Sequence, residues 1–371
     1  MRHHLATPAK NVATVAGDLA GLHSSDPATV YLAAWARVED FTADDLTRAL
    51  YEDRSLVRML GMRRTMFVVT RDDAAVMDAA ATKALIAPQT KRLVGLIEDT
   101  GIADDGEAWL ERVGEETMQA LSARGEATAA ELSDDVPELK EKIRYGQGTL
   151  GMSTRVLFLL ATAGRIVRAR PLGTWLSSQY RWTPTASWLA AELPVIDTET
   201  ARIELVRHWL GTFGPGTELD LKWWTGWNLG TTRSAIAGAG SVAVELEGSS
   251  AGLVLPDDVE SESVSDEWLA LLPALDPSVM GWKERGWYLG DHTNELFDRN
   301  GNAGPTVWWN GKIVGGWAQR SDGDVVYELL EKIPKAAIAM IDAKAAELTE
   351  WLDGVVVTPR FRTPLEKRLC G

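Results

Sequence analysis

Apolar residues recur at helical spacing over residues 12–22 and 28–38, separated by Asp26-Pro27, and again over Ala43–Tyr51, where Thr42 is placed to cap. Residues 57–70 (VRMLGMRRTMFVVT) then change period. Their β-rich flanks surround Gly61 and Arg63-Arg64, which predicts a hairpin. The same order returns twice. Residues 108–124 are amphipathic and stop at Gly125, a residue suited to the position just past a helix. Thr128 and Glu131 have capping-box spacing for a short helix at 128–132. A third helix is predicted over 153–163, and GRIVRARP and QYRWTP read as the arms of a long basic hairpin. The last copy places helices at 198–212, 217–224 and 230–238. A hairpin from 242–247 and 251–255 closes it across Gly248-Ser249-Ser250.

Helix, helix, helix, hairpin is the winged-helix plan, in which the third helix or the wing lies against DNA. Beyond Asp266 the pattern changes to short β runs at 282–289, 305–309 and 312–317, with turn signals at Asn300-Gly301 and Asn310-Gly311. One long helix is predicted over 327–351, with Pro334 either kinking it or marking its start. The expected fold is therefore α+β. It comprises three tandem winged-helix modules (1–72, 106–192 and 193–256), a helical linker at 73–105, and a C-terminal β-barrel or curled sheet with one long helix at 265–371.

Composition narrows the function classes. The 371 residues are 45% apolar and 25% charged, ordinary values for a globular chain. A single cysteine, Cys370, excludes an internal disulfide framework, and the five histidines lack metal-ligand spacing, so no metal is expected. No apolar run nears the ~18 residues of a membrane span and the first residues carry no signal-type core, which predicts a soluble cytoplasmic protein. GTFGPG and GNAG lack the context of a nucleotide-binding loop and no G-x-S-x-G elbow occurs, so no cofactor is expected. Most of the 16 tryptophans have the spacing of core residues.

The formal net charge of −15, from 53 acids and 38 bases, argues against nucleic acid until it is divided by segment. Residues 142–191 contain no acid, but do contain Lys142, Arg144, Arg155, Arg165, Arg168, Arg170 and Arg181. Residues 257–267 carry six acids and no base. Charges are screened beyond ~8–10 Å at physiological salt. An acid-free stretch therefore forms its own surface, able to meet phosphate.

Five segments in this layout carry a resemblance: LHSSDPATVYLAAWARV (22–38), GPGTELDLKWWTG (214–226), LLPALDPSVMGWKERGW (271–287), NAGPTVWWNGKIVGGW (302–317) and VTPRFRTPLEK (357–367). In this order they resemble the AlkZ/YcaQ family of bacterial DNA glycosylases. The resemblance implies a C-shaped protein of three winged-helix modules and a β-barrel. It would grip double-stranded DNA in its concavity and remove alkylated purines, some members also unhooking interstrand crosslinks. The family holds its hydrolytic water with a Gln-x-Gln or Gln-x-Asp pair before the Asp-Pro. Here those positions are His23 and Ser25. Where the family tends to have Arg-Gly-Thr-x-His, this chain has Arg63-Arg64-Thr65-Met66-Phe67.

An N3- or N7-alkylated purine is already cationic and leaves without a general acid. The site then needs a placed water and a countercharge for an oxocarbenium-like sugar. Neutral His23 can take a proton from the water, Ser25 can orient it, and Asp26 can orient His23 or face the sugar. The same residues also make an ordinary helix start, with Asp26 as N-cap and Pro27 at the first helical position. Both readings stand at this point. The first motif has no lysine, so no covalent lysine intermediate is expected.

Candidates for DNA contact are Arg63, Arg64 and Thr65 at the first hairpin tip, then Arg144, Arg165, Arg168, Arg170 and Arg181. Alternation places Arg168 and Arg170 on one strand face, with no acid nearby in sequence. Asp276, Lys283 and Arg285 are second-rank cleft candidates, an ion-pair cluster being the alternative. One function class is a monomeric alkylpurine DNA glycosylase of base-excision repair, nucleoid-associated when bound to alkylated DNA. The other is a non-catalytic winged-helix DNA-binding protein, a regulator or lesion sensor. In a third, the last module and the barrel bind protein or a small molecule in place of DNA.

Overall fold

The computed structural model describes residues 2–145, 148–189, 193–247, 251–260 and 267–371. The chain opens with α1 (Val12–Asp18), β1 (Leu22–His23), α2 (Pro27–Trp35), α3 (Ala43–Tyr51), β2 (Leu56–Leu60) and β3 (Met66–Thr70). Helices α4 (Arg71–Met77), α5 (Ile86–Asp99), α6 (Gly106–Arg124) and α7 (Ala129–Asp135) follow. Next come β4 (Lys142–Tyr145), β5 (Gly148–Gly151), α8 (Met152–Thr162), β6 (Ile166–Pro171), β7 (Tyr180–Pro184) and α9 (Thr185–Leu189). Then come α10 (Thr198–Phe213), α11 (Glu218–Thr225), α12 (Leu229–Ala239), β8 (Val242–Val244) and β9 (Gly252–Val254). The last part holds β10 (Leu269–Leu272), α13 (Pro277–Met280), α14 (Gly286–Leu289), α15 (Thr293–Leu296) and β11 (Thr306–Trp309). It ends with β12 (Lys312–Gln319), β13 (Val325–Leu329), α16 (Lys335–Leu352) and α17 (Pro364–Cys370).

Capping chemistry sets many of these limits. The carboxylates of Asp45, Glu131, Asp220 and Glu366 accept the backbone N–H of Thr42, Thr128, Thr217 and Thr363 at 2.7–3.0 Å. Each thus satisfies a donor that the helix start would leave unpaired. Helix α6 ends at Gly125, whose φ of 76° is available to glycine at little cost.

The fold is mixed α and β, and the chain divides into two compact units. The first holds residues 1–56, 67–70 and 203–371, and the second holds 57–66 and 71–202. In the second, α5, α6, α7 and α8 pack around Ile97, Trp109, Val113, Leu121, Leu132 and Val156. In the first, every residue of α2 is buried, so this helix is a core element with no solvent face. It is tied to the C-terminal part by Thr29, whose hydroxyl donates to Ala274 O (3.2 Å), and by Arg37 just beyond its end. All five guanidinium donors of Arg37 are used: on Asp276 Oδ1 and Oδ2 (2.6 and 2.8 Å), Ser278 Oγ (2.9 Å), Ala33 O (2.9 Å) and His3 O (3.0 Å). Arg37 and Asp276 are fully buried, so each charge depends on the other.

Several expectations change. The helix predicted over 12–22 stops at Asp18, because Ala20 takes a left-handed conformation (φ 51°) and Gly21 follows at φ 102°. The N–H of Gly21 bonds Ala16 O (2.9 Å) and that of Ala20 bonds Gly17 O (3.1 Å), the two bonds of a Schellman turn. Leu22–His23 then leaves as a strand. The β-barrel is corrected: β10, β11, β12 and β13 form an antiparallel meander in that order, with no closed barrel among the described residues. Four strands are too few to close on themselves. Helix α16 contacts both edge strands, β10 and β13, and α17 packs on β12.

The strand predicted at 282–289 is not formed; short helices α13 and α14 flank Trp282, with Asp276 capping Pro277–Met280. Tyr327 lies in β13, and Pro334 marks the true start of the long helix. The hairpin β4–β5 has no counterpart among the predicted elements. The expected turn at 248–250 and residues 261–266 of the acidic run lie outside the described residues.

Candidate functional site

The candidate catalytic segment belongs to the first unit. Strand β1 pairs antiparallel with β3, in register Leu22↔Val68 and His23↔Phe67. Leu22 points into the core and is fully buried, while His23 is half-buried with its ring edge-on to Phe67, centroids 5.9 Å apart. A Cβ on Gly21 would meet Val69 at 2.9 Å, so only glycine lets the chain approach β3 this closely. Ser24 is buried, and its Oγ has no hydrogen-bond partner among the described residues. Ser25 is exposed.

Asp26 is the N-cap of α2, its Oδ1 accepting the N–H of Ala28 (3.1 Å), with Pro27 at the first helical position. The helix-start reading of this tetrapeptide is therefore realised. Asp26 Oδ2 makes no hydrogen bond among the described residues, so capping leaves one carboxylate oxygen available. A narrow cavity of about 40 Å³ is lined by Asp26, Thr29, Ala274, Trp317 and Glu366 among others. Glu366 adds a second carboxylate that sequence reasoning does not single out. Burial raises its pKa, opposed by the hydrogen bonds from Thr363. Its only sequence signal is the capping-box spacing of Thr363-Pro364-Leu365-Glu366.

The second-rank residues do not share a cleft. Asp276 is enclosed in the Arg37 pair. Lys283 is exposed, and its backbone N–H donates to Asp220 Oδ1 (2.8 Å). Arg285 lies over Trp223 and Phe297 at 4.7 and 4.9 Å, and burial lowers its pKa. Of the adjacent pair His3-His4, His3 is a packing element. The His3 ring lies against Phe213 and Trp282, with Nε2 donating to Thr212 O (3.0 Å) and Nδ1 accepting from Ser278 Oγ (2.8 Å). That pattern fixes the neutral tautomer. Burial and then the Arg37 guanidinium push its pKa from 6.5 to about 3.

The basic candidates belong to the second unit. Met62, Arg63, Arg64 and Thr65 form a tight turn closed by the Thr65 N–H on Met62 O (3.0 Å). Arg63 and Arg64 are exposed, at φ 53° and 62°. Two adjacent non-glycine residues in the left-handed region are strained. The Arg64 guanidinium lies over Phe158 at 5.6 Å. Arg155, on α8, has its pKa lowered by burial and then by the charges of Arg64 and Arg92. Arg64, Arg92 and Arg155 therefore form a cationic cluster. Arg64 and Arg155 have no ion pair among the described residues, nor does exposed Arg144 on β4.

The acid-free stretch of sequence is not acid-free in space, which corrects the expectation of an unopposed track. Glu115 of α6 binds Arg165 through both oxygens (2.6 and 3.1 Å), and Glu131 lies 3.6 Å from Arg181. Arg168 lies over Tyr180 and Trp182, at 5.3 and 5.4 Å, while Arg170 is exposed. The β6–β7 register breaks between Arg168 and Pro171, so simple alternation does not relate Arg168 to Arg170. Sequence reasoning misses Arg92 and Arg58; the only sign of Arg58 is one charge inside the apolar strand LVRML.

Among the described residues, no group of three or more His, Cys, Asp or Glu side chains is placed to hold a metal ion. No described helix is long and apolar enough to cross a membrane. A family model described as DNA glycosylase AlkZ-like matches residues 16–351. The solved structure of Streptomyces sahachiroi DNA glycosylase AlkZ is similar, with a TM-score of 0.73 and 19% sequence identity. The match covers 98% of this chain and 96% of that one; at this identity it speaks for the fold. No curated protein sequence matches.

Proposed function

Because this chain belongs to the AlkZ-like DNA glycosylase family, we propose that it binds double-stranded DNA and hydrolyses the N-glycosidic bond of N3- or N7-alkylated purines. The three helix–helix–helix–hairpin repeats are read as winged-helix modules, and their recurrence in element order supports that reading. Phosphate contact is assigned to the turn at Arg63-Arg64-Thr65, to Arg155 and Arg144, and to exposed Arg170. Arg165, Arg168 and Arg181 contribute less, being engaged by Glu115, aromatic rings and Glu131.

The observation that carries the catalytic half is the divided use of Asp26: Oδ1 holds the helix start and Oδ2 is available. In the proposed reaction, water attacks C1′ of the deoxyribose as the C1′–N bond breaks. The bonding pair goes to the cationic purine, which leaves neutral. His23 accepts a proton of the attacking water and passes it to solvent. Asp26 Oδ2 faces the positive charge on the sugar, and Ser25 orients the water. No covalent intermediate is involved.

The test is incubation with duplex DNA containing N7-methylguanine or N3-methyladenine, scoring abasic sites, with His23→Ala alongside. The expected result is product with the native chain and at least a tenfold loss in the variant. Unchanged base release by His23→Ala would remove the assignment. One observation favours a second reading, binding without catalysis: apolar Phe67 stands opposite His23 on β3. Salt-sensitive DNA binding with no abasic product would select it.

A further inference from the structure

The second unit contains a cavity of about 200 Å³ whose walls include Leu60, Met66, Leu157, Phe158, Ile166 and Leu189. Into this apolar lining the strand β2 brings Arg58, a guanidinium only 4% exposed. Its NH1 donates to the Tyr180 hydroxyl, and the group lies over the Tyr180 ring at 4.8 Å. That is its only hydrogen bond among the described residues, and Nε is wholly buried without a partner. A ring face stabilises the cation but accepts none of the in-plane N–H groups. The contrast with Arg37 in the other unit is direct: there, a buried guanidinium has all five donors matched and a carboxylate beside it.

A buried, unmatched guanidinium is costly unless something completes it. A second polar atom of the same lining, Thr185 Oγ1, is also buried without a hydrogen-bond partner among the described residues. Arg168, held over Tyr180 and Trp182, also lines the cavity. Among the described residues Asp78 is the one carboxylate in the lining, and it is paired with Lys83 Nζ (3.1 Å), away from Arg58. Asp78 opens a π-helical turn, Asp78–Thr82, an irregularity frequent at functional sites. Size sets the ligand class, because an apolar cavity of roughly 150 Å³ accommodates benzene. The present one accommodates a six-membered ring and a small substituent.

We propose that this cavity is a binding site for a monocyclic aromatic carboxylate, its ring against the apolar walls and its carboxylate on Arg58 and Thr185. The site is distinct from the proposed catalytic segment, since it shares no residue with His23–Asp26; of the proposed phosphate contacts it shares Arg168.

Benzoate is the probe, titrated into the full chain by calorimetry and ligand-observed NMR, with benzamide and toluene as matched controls on the same protein. Saturable benzoate binding is expected, at least tenfold tighter than either control. Arg58→Met should abolish the preference for benzoate over benzamide, and Thr185→Val should weaken benzoate several-fold. The control ligands need no altered protein, so a variant that fails to fold leaves the proposal falsifiable. Failure of benzoate to saturate at millimolar concentration overturns it. So does equal affinity for benzoate and benzamide, or unchanged benzoate binding to a folded Arg58→Met variant.

Discussion

Acid should destabilise the first unit through His3, and the structure gives the size of the effect. The ring lies between Thr212 O and Ser278 Oγ, with Arg37 donating to the same Ser278 oxygen at 2.9 Å. Protonation would put a second cation beside Arg37 and turn Nδ1 from an acceptor into a donor facing a hydroxyl that already accepts a bond. The folded pKa is accordingly about 3, against 6.5 in an open chain. A depressed folded pKa means that the unfolded chain takes the proton first. The stabilisation is therefore complete above about pH 6.5 and is lost as pH falls from there towards 3. At pH 5 a shift of this size corresponds to about 2 kcal/mol for a fully enclosed ring. His3 is half-buried as a residue, and partial solvation reduces this to about 1–2 kcal/mol.

The assay is urea unfolding followed by tryptophan fluorescence at pH 7 and pH 5, for the native chain and for His3→Gln. Other titrating groups are common to both proteins and cancel in the comparison. The native chain should lose about 1–2 kcal/mol more than the variant between these pH values. An equal loss in both proteins would refute the neutral, enclosed imidazole.

Asp26→Asn keeps an N-cap oxygen but removes the charge, so stability should change by less than about 0.5 kcal/mol while abasic-site formation falls at least tenfold. Asp26→Ala should in addition cost about 1 kcal/mol in thermal unfolding. Replacing Arg63-Arg64 by Asn-Gly relieves two left-handed arginines and should stabilise the chain by about 1 kcal/mol, net of the cation–π energy that Arg64 gives up on Phe158. The same change should weaken DNA binding and reduce its log–log salt slope by up to about 1.8 for two phosphate contacts. Arg155→Ala should lower that slope by about 0.9 and Arg165→Ala by much less, because Arg165 must first leave Glu115. Equal slopes for the two variants would show that the Glu115 pair does not limit contact.

What could be read from the chain was local. Thr42, Thr128 and Thr217 act within three residues, and the helices they start lie where the periodicity places them. The misplacements are non-local. Strand β1 has two residues and exists because Phe67 and Val68 come beside it, and no periodicity marks so short a segment. Gly21 was the available sign that helix α1 could not continue. The unopposed basic track failed for the same reason, since Arg165 and Glu115 are fifty positions apart. The barrel expected from the short β runs and Asn-Gly turns gives way to an open four-stranded sheet contacted by α16, since strand count and closure are not set locally. Arg58 reads as one charge in a strand, and only packing shows that its buried Nε has no acceptor among the described residues.

The candidate catalytic motif departs from the pair of the resembling family at positions outside the contacts that fix α2. Helix α2 is fixed by Thr29 on Ala274, by the Arg37–Asp276 pair just beyond its end, and by Asp26 and Pro27 at its start. None of these contacts uses the side chain of His23 or Ser25. Strand β1 and the turn before α2 therefore present two positions, His23 against Phe67 and exposed Ser25, that the contacts fixing the helix do not involve. The double change His23→Gln and Ser25→Gln, which installs the pair of the resembling family, should alter stability by less than about 1 kcal/mol. If water placement is the function of these positions, abasic-site formation from N7-methylguanine duplex should persist or rise in the double variant. It should fall in His23→Ala, which cannot hold a water there. Absence of product in a folded double variant, with His23→Ala unaffected, would place the chemistry elsewhere and leave Asp26 as a cap alone.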